Sequence, residues 1–181
     1  MTFHHLAPTK TPATTKMIVT RRAVVSALSL FAMGCSEEPD GPCVAAPAKV
    51  LFICQAGTVK SPVARELFRR RATERGVSVE VQSRGIAPEE HMTDRLLAAA
   101  RADGINPRRE PARALTPKDL RAADVVIYFN RPDQASDFPN ALDWTDVPSM
   151  NDDYMGTRRM ILERSEAILD KLSAEPCRVQ S

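Results

Sequence analysis

The sequence predicts an α/β fold, a three-layer sandwich with a central four-stranded parallel sheet and helices on both faces. Three observations carry that expectation. Val50-Leu51-Phe52-Ile53 and Val125-Val126-Ile127-Tyr128-Phe129 are short, wholly apolar runs, as strands buried on both faces require. Between them lie stretches with apolar residues at helical spacing. Gly76, Gly104 and Thr116-Pro117 punctuate the changes of period. Strands that alternate with helices make crossover connections, and those connections make a sheet parallel.

Taken in order, the first strand covers Val50–Ile53 and ends at Cys54, and a loop leads into a helix over Pro62–Arg75, stopped by Gly76. Val77-Ser78-Val79-Glu80-Val81 alternates at period two and reads as the second strand. A helix over Thr93–Ala102 closes at Gly104. Thr116-Pro117-Lys118-Asp119 opens another, with Thr as N-cap, Pro in the first turn and an acid three residues after the cap. Val125–Phe129 is the third strand and Leu142–Val147 a short fourth one. Ile161, Ser165, Ile168 and Leu172 mark the inner face of a closing helix.

Composition sets the class. The chain has 181 residues, 43% hydrophobic and 27% charged, which suits one globular domain plus an extension. No apolar run reaches the roughly 18 residues of a membrane span. The formal charge of +2 arises in the first 34 residues, where Lys10, Lys16, Arg21 and Arg22 meet no acid. The remainder is slightly acidic and gives no support to a nucleic-acid-binding surface.

Residues 1–34 read as an export signal that starts in effect at Met17: Arg21-Arg22, then the apolar stretch Ala23–Met33, then a small residue, Gly34. Ala32-Met33-Gly34-Cys35 resembles the lipobox of bacterial lipoproteins, and Thr20-Arg21-Arg22 resembles a twin-arginine signal. The resemblance implies that Cys35 receives lipid. Residues 35–48, polar and Pro-rich, read as a flexible tether, and residues 49–175 as the folded domain. The expected location is therefore the extracytoplasmic side of a bacterial membrane. Cys43 and Cys177 flank the domain, and an oxidising compartment would allow a disulfide between them.

Chemistry is expected at the carboxyl end of the first strand, because ligands of open parallel sheets bind there. Cys54 is followed by Gln55, Ala56, Gly57, Thr58, Val59, Lys60 and Ser61, a loop of mostly small residues that enters a helix. Backbone N–H groups in such a loop, added to the positive end of the helix dipole, form an anion site. A sulfur on its floor lies in a field that favours negative charge, as a nucleophile requires. Lys60 adds charge, and the Ser61 hydroxyl can support the sulfur.

These residues resemble the low-molecular-weight protein tyrosine phosphatases, whose phosphate loop runs Cys, five residues, Arg, Ser or Thr, and Pro. Leu51–Cys54, Ser61-Pro62, Val81-Gln82-Ser83-Arg84-Gly85, Arg113-Ala114-Leu115-Thr116 with Asp119-Leu120, and Ala123–Ile127 match family segments in order across residues 49–172. Three departures accompany the match. Lys60 replaces the family Arg, a point charge in place of a planar fork that pairs two phosphoryl oxygens. Ala56-Gly57 replaces a Gly-Asn pair whose Asn holds the loop's strained backbone. The general-acid Asp-Pro is absent. Asp152-Asp153-Tyr154-Met155-Gly156 keeps an Asp, a Tyr and a Gly in register, and makes Asp152 the acid. A second register, through Trp144-Thr145-Asp146-Val147-Pro148, would put Ser149 there instead.

The resemblance implies hydrolysis of phosphate monoesters through a cysteinyl-phosphate intermediate, with Cys54, Lys60 and Asp152 as catalytic residues, residues 55–61 as the phosphate cradle, and a low rate because of Lys60. A phosphorylated protein or small phosphate ester is the expected partner, with no cofactor, metal or nucleic acid. A catalytically inactive oxyanion-binding lipoprotein is the alternative. Arsenate reductases of this fold also use a resolving cysteine pair, and no cysteine lies between Cys54 and Cys177.

Overall fold

The computed structural model describes residues 46–133, 138 and 141–174. The export signal, Cys35, most of the tether, Cys43 and Cys177 fall outside the described residues. The described chain forms β1 (Ala48–Cys54), α1 (Lys60–Glu74), β2 (Val79–Gly85), α2 (Asp94–Ala102), a 3₁₀ turn (Pro107–Arg109), α3 (Pro117–Ala122), β3 (Val125–Tyr128), β4 (Leu142–Asp143) and α4 (Tyr154–Ala174). The four strands make one parallel sheet in the order β2-β1-β3-β4, with Cys54 opposite Gly85.

Alternation along β1 divides the core between the two faces. Val50, Phe52 and Cys54 pack with α1, α2 and α4, whereas Leu51 and Ile53 meet Val126, Tyr128 and Leu120 of α3. Phe52 anchors the larger face, with its ring 5.7 Å from Phe68, 6.0 Å from Trp144 and 6.3 Å from Phe129. Each such buried side chain contributes about 1.5–3 kcal/mol.

Element boundaries differ from expectation where local hydrogen bonds intervene. Val77 does not belong to a strand. Gly76 takes a φ of +67°, Val77 N–H donates to Ala72 O and Gly76 N–H to Thr73 O, so Val77 completes the terminator of α1 and β2 starts two residues later. At the far end β2 runs on to Gly85, through buried Ser83, whose hydroxyl accepts from Arg65 Nη1 at 2.9 Å. β4 is two residues long because the Asp143 carboxylate takes hydrogen bonds from Thr145 N–H (2.9 Å) and Thr145 Oγ1 (2.6 Å), which turns the chain out of the sheet. α4 begins at Tyr154, where the Asp153 carboxylate accepts from Gly156 N–H at 2.8 Å.

The sheet edge at β2 is occupied. Arg69 Nη2 donates to Val81 O at 3.0 Å, and Gly85 exchanges backbone hydrogen bonds with Arg113 and Leu115. The Arg69-Arg70-Arg71 run is likewise paired: Arg69 with Glu66 and Glu110, Arg70 with the carbonyls of Asp103 and Gly104, Arg71 with Glu74 and Glu166.

Candidate active site

The loop from Gln55 to Val59 joins the carboxyl end of β1 to the first turn of α1. Cys54 is buried at its base. Its Sγ lies 3.1 Å from Ser61 Oγ and accepts the Gly57 N–H at 3.2 Å. Ser61 Oγ also donates to Arg84 O at 3.2 Å, so the hydroxyl is fixed between β2 and the sulfur. The amides of Ala56, Thr58, Val59, Lys60 and Ser61 have no acceptor among the described residues. A sulfur, a hydroxyl and amides without acceptors at a helix N-terminus are the groups from which an oxyanion cradle can be built.

The loop's shape is braced from outside. Gly57 takes a φ of +67°, which glycine adopts without the steric penalty of a side chain. Ile86 N–H donates to Cys54 O, Ala87 N–H to Gln55 O and Glu89 N–H to Ala56 O, at 2.9–3.0 Å. On the other side Gln55 N–H donates to Asn130 Oδ1 at 3.1 Å.

Lys60 reaches from the first turn of α1 to the turn after β4. Its Nζ donates to Val147 O at 3.0 Å and sits 5.7 Å from the ring centroid of Phe129. Burial pushes the amine below the ordinary 10.5, while the nearby Cys54 works in the opposite sense. Val147 belongs to the turn after β4, so Lys60 links the cradle to the segment that leads to Asp152.

Asp152 is exposed, and its N–H donates to Ser149 O at 3.1 Å. Asp153 is engaged in capping α4. Tyr154 turns its hydroxyl to Asp103 Oδ2 at 3.3 Å, and burial, then the Asp103 carboxylate, push it up to about 12. Trp144 is buried in the core. Thus Cys54, Gly57 and Ser61 converge, Lys60 reaches across to Val147, and among the described residues no hydrogen bond joins Asp152 to the cradle.

Asn130, Gly85 and Val147 are site residues that sequence reasoning did not find. Asn130 could have been flagged, since it closes the carboxyl end of β3, where the switch-point rule looks for ligand-facing groups. The part played by Val147 is a backbone carbonyl, which has no side-chain signature.

No curated protein matches the chain by sequence. Among solved structures, a YwlE mutant from Bacillus subtilis is 22% identical over 70% of this chain and 99% of its own, with a TM-score of 0.60. A low molecular weight protein tyrosine phosphatase from T. tengcongensis is 21% identical over 71% of this chain and 99% of its own, with a TM-score of 0.54. A thioredoxin-dependent arsenate reductase from Corynebacterium glutamicum is 25% identical over 73% of this chain and 65% of its own, with a TM-score of 0.58. These likenesses support the fold. Residues 49–141 match the family model described as low molecular weight phosphotyrosine protein phosphatase, a match that ends before the Asp152 segment. The chain therefore belongs to that family, and family and fold together indicate phosphatase-type activity.

Proposed function

We propose that the domain hydrolyses phosphate monoesters through a cysteinyl-phosphate intermediate. Cys54 attacks phosphorus, the amides of residues 55–61 with Lys60 hold the equatorial oxygens, and Asp152, by its register before Tyr154-Met155-Gly156, is the carboxylate available to protonate the leaving group and activate water. The observation that carries the reading is the contact of Cys54 Sγ with Gly57 N–H (3.2 Å) and Ser61 Oγ (3.1 Å) at the head of α1. Turnover of an activated aryl phosphate that is abolished by Cys54→Ser is the expected result. Turnover that survives Cys54→Ser would assign the work to another group.

A second reading, an oxyanion-binding module without catalysis, is favoured by one observation: the Lys60 amine is engaged by Val147 O. Titration with phosphate or vanadate beside the turnover assay separates the two, since binding without turnover marks the module. The arsenate reductase reading is disfavoured, because Cys54 is the only cysteine between residues 44 and 176. The substrate is proposed to be a phosphorylated protein or a small phosphate ester outside the cytoplasm, met by a domain anchored through lipid on Cys35. Release of the protein from the membrane fraction by Cys35→Ala tests the anchor.

A further inference from the structure

A cavity of about 350 Å³ lies against the Gln55–Val59 loop, with Gly57 and Thr58 in its wall. The segment between β2 and α2 makes a second wall, held to the loop by Glu89 N–H, which donates to Ala56 O at 3.0 Å. The 3₁₀ turn and the residues after it make a third, and Glu110 pins them to α1 through Arg65 Nη1 (3.1 Å) and Arg69 Nη2 (3.2 Å). Met92 and Pro107 are the buried apolar part of the lining. Two charged groups line the cavity without a partner among the described residues, the Glu90 carboxylate and the Arg108 guanidinium. No lining residue is aromatic, so the wall offers no ring on which a leaving aryl group could stack.

We propose that this cavity takes the leaving group of an O-phosphorylated free amino acid, with Glu90 on its ammonium and Arg108 on its carboxylate. The assignment rests on the proposed hydrolysis at Cys54 and narrows its substrate to a small zwitterionic ester. Such a molecule carries three charged groups. The amides at the head of α1 receive the phosphate, and the cavity supplies a counter-charge for each of the other two. A phosphorylated side chain within a protein has its α-amine and carboxyl locked in amide bonds, so it would leave both cavity charges unmatched. Glu90 and Arg108 are exposed, and ion pairs at exposed sites give a few-fold each and weaken with salt.

The test is kcat/KM of the full chain for O-phosphoserine and O-phosphotyrosine, each free, N-acetylated, as the carboxamide, and blocked at both ends. Blocking leaves the ester bond unchanged, so the series isolates recognition of the head group. The free form of at least one is expected to exceed its doubly blocked form by roughly tenfold at low ionic strength, a gap that narrows as salt rises. Glu90→Gln is expected to erase the effect of N-acetylation and keep that of the carboxamide, and Arg108→Gln to do the reverse. A doubly blocked form or a phosphotyrosyl peptide used as well as the free amino acid overturns the assignment. So does a gap that salt leaves unchanged, a loss shared alike by all forms in both variants, or turnover of phenyl phosphate with none of either amino acid. Should the wild type turn over none of these esters, the hydrolytic reading fails by itself. Calorimetric titration of the wild type with free and blocked forms then decides the cavity: tighter binding of a free form supports it, and equal binding overturns it.

Discussion

Gly57 and Gly85 meet backbone to backbone: a Cβ on Gly57 would come within 2.8 Å of Gly85 N, and one on Gly85 within 2.9 Å of Gly57 N. This approach seats the Gln55–Val59 loop on the end of β2. Gly57→Ala is expected to add both that clash and the strain of a positive φ, about 1–3 kcal/mol, and to weaken oxyanion binding by shifting the amide that reaches Cys54. Thermal denaturation with a phosphate titration checks it. A Gly57→Ala variant that binds phosphate like the wild type would show that the loop does not depend on this contact.

Asn130 holds the first amide of the loop through its Oδ1. Asn130→Ala is expected to weaken vanadate inhibition several-fold and to lower stability by about 1 kcal/mol, the scale of one net hydrogen bond. Inhibition constants and urea midpoints measured on the same preparation would reveal the effect, and unchanged inhibition would reduce Asn130 to a bystander.

Asp119 serves two partners. One oxygen accepts from Arg84 Nε (2.9 Å) and Nη2 (2.7 Å), and the other from Thr116 N–H (2.9 Å) as part of a capping box. Burial alone would raise its carboxyl, but the hydrogen bonds from Arg84 and Thr116 outweigh burial and hold it below 3.8. A carboxyl depressed by folding contributes stability that is complete above its unfolded value and is lost as pH falls through the folded one. Asp119→Asn is therefore expected to destabilise the domain by about 2 kcal/mol at neutral pH, and the gap to the wild type should close below 3.8. Chemical denaturation across the acid range measures it, and a gap that stays constant on acidification would contradict the assignment.

Asp153 caps α4 through Gly156 N–H. Asp153→Ala is expected to cost about 1 kcal/mol, and Asp153→Ser to recover most of it. Equal losses in the two variants, read from denaturation midpoints, would mean that the carboxylate does something other than cap.

Local chemistry made much of the fold legible. Thr116, Pro117 and Asp119 form the capping box that their spacing announces, and Gly76 and Gly104 terminate α1 and α2 with positive φ. The buried runs of β1 and β3 needed no tertiary information. What escaped depends on groups distant in sequence. The strand pattern at Val77 was overridden by a helix terminator, and the apolar stretch after Leu142 by an Asp143 turn. In the site, Cys54, Gly57 and Ser61 were readable because they are neighbours in the chain. The Val147 carbonyl that receives Lys60 lies 87 residues away, and only folding brings the two together.

The Arg69 guanidinium on the Val81 carbonyl, with the Arg113 to Leu115 segment on Gly85, has a consequence for the protein's behaviour in concentrated solution. A parallel sheet otherwise ends in a row of unsatisfied donors and acceptors that another molecule's strand can zip onto. Here that row is interrupted near its middle by a charge and closed at its end by the chain itself. The opposite margin, β4, is two residues long, too short to template an added strand. Removal of the Arg69 side chain should therefore make the folded protein more prone to precipitate well before it loses its fold.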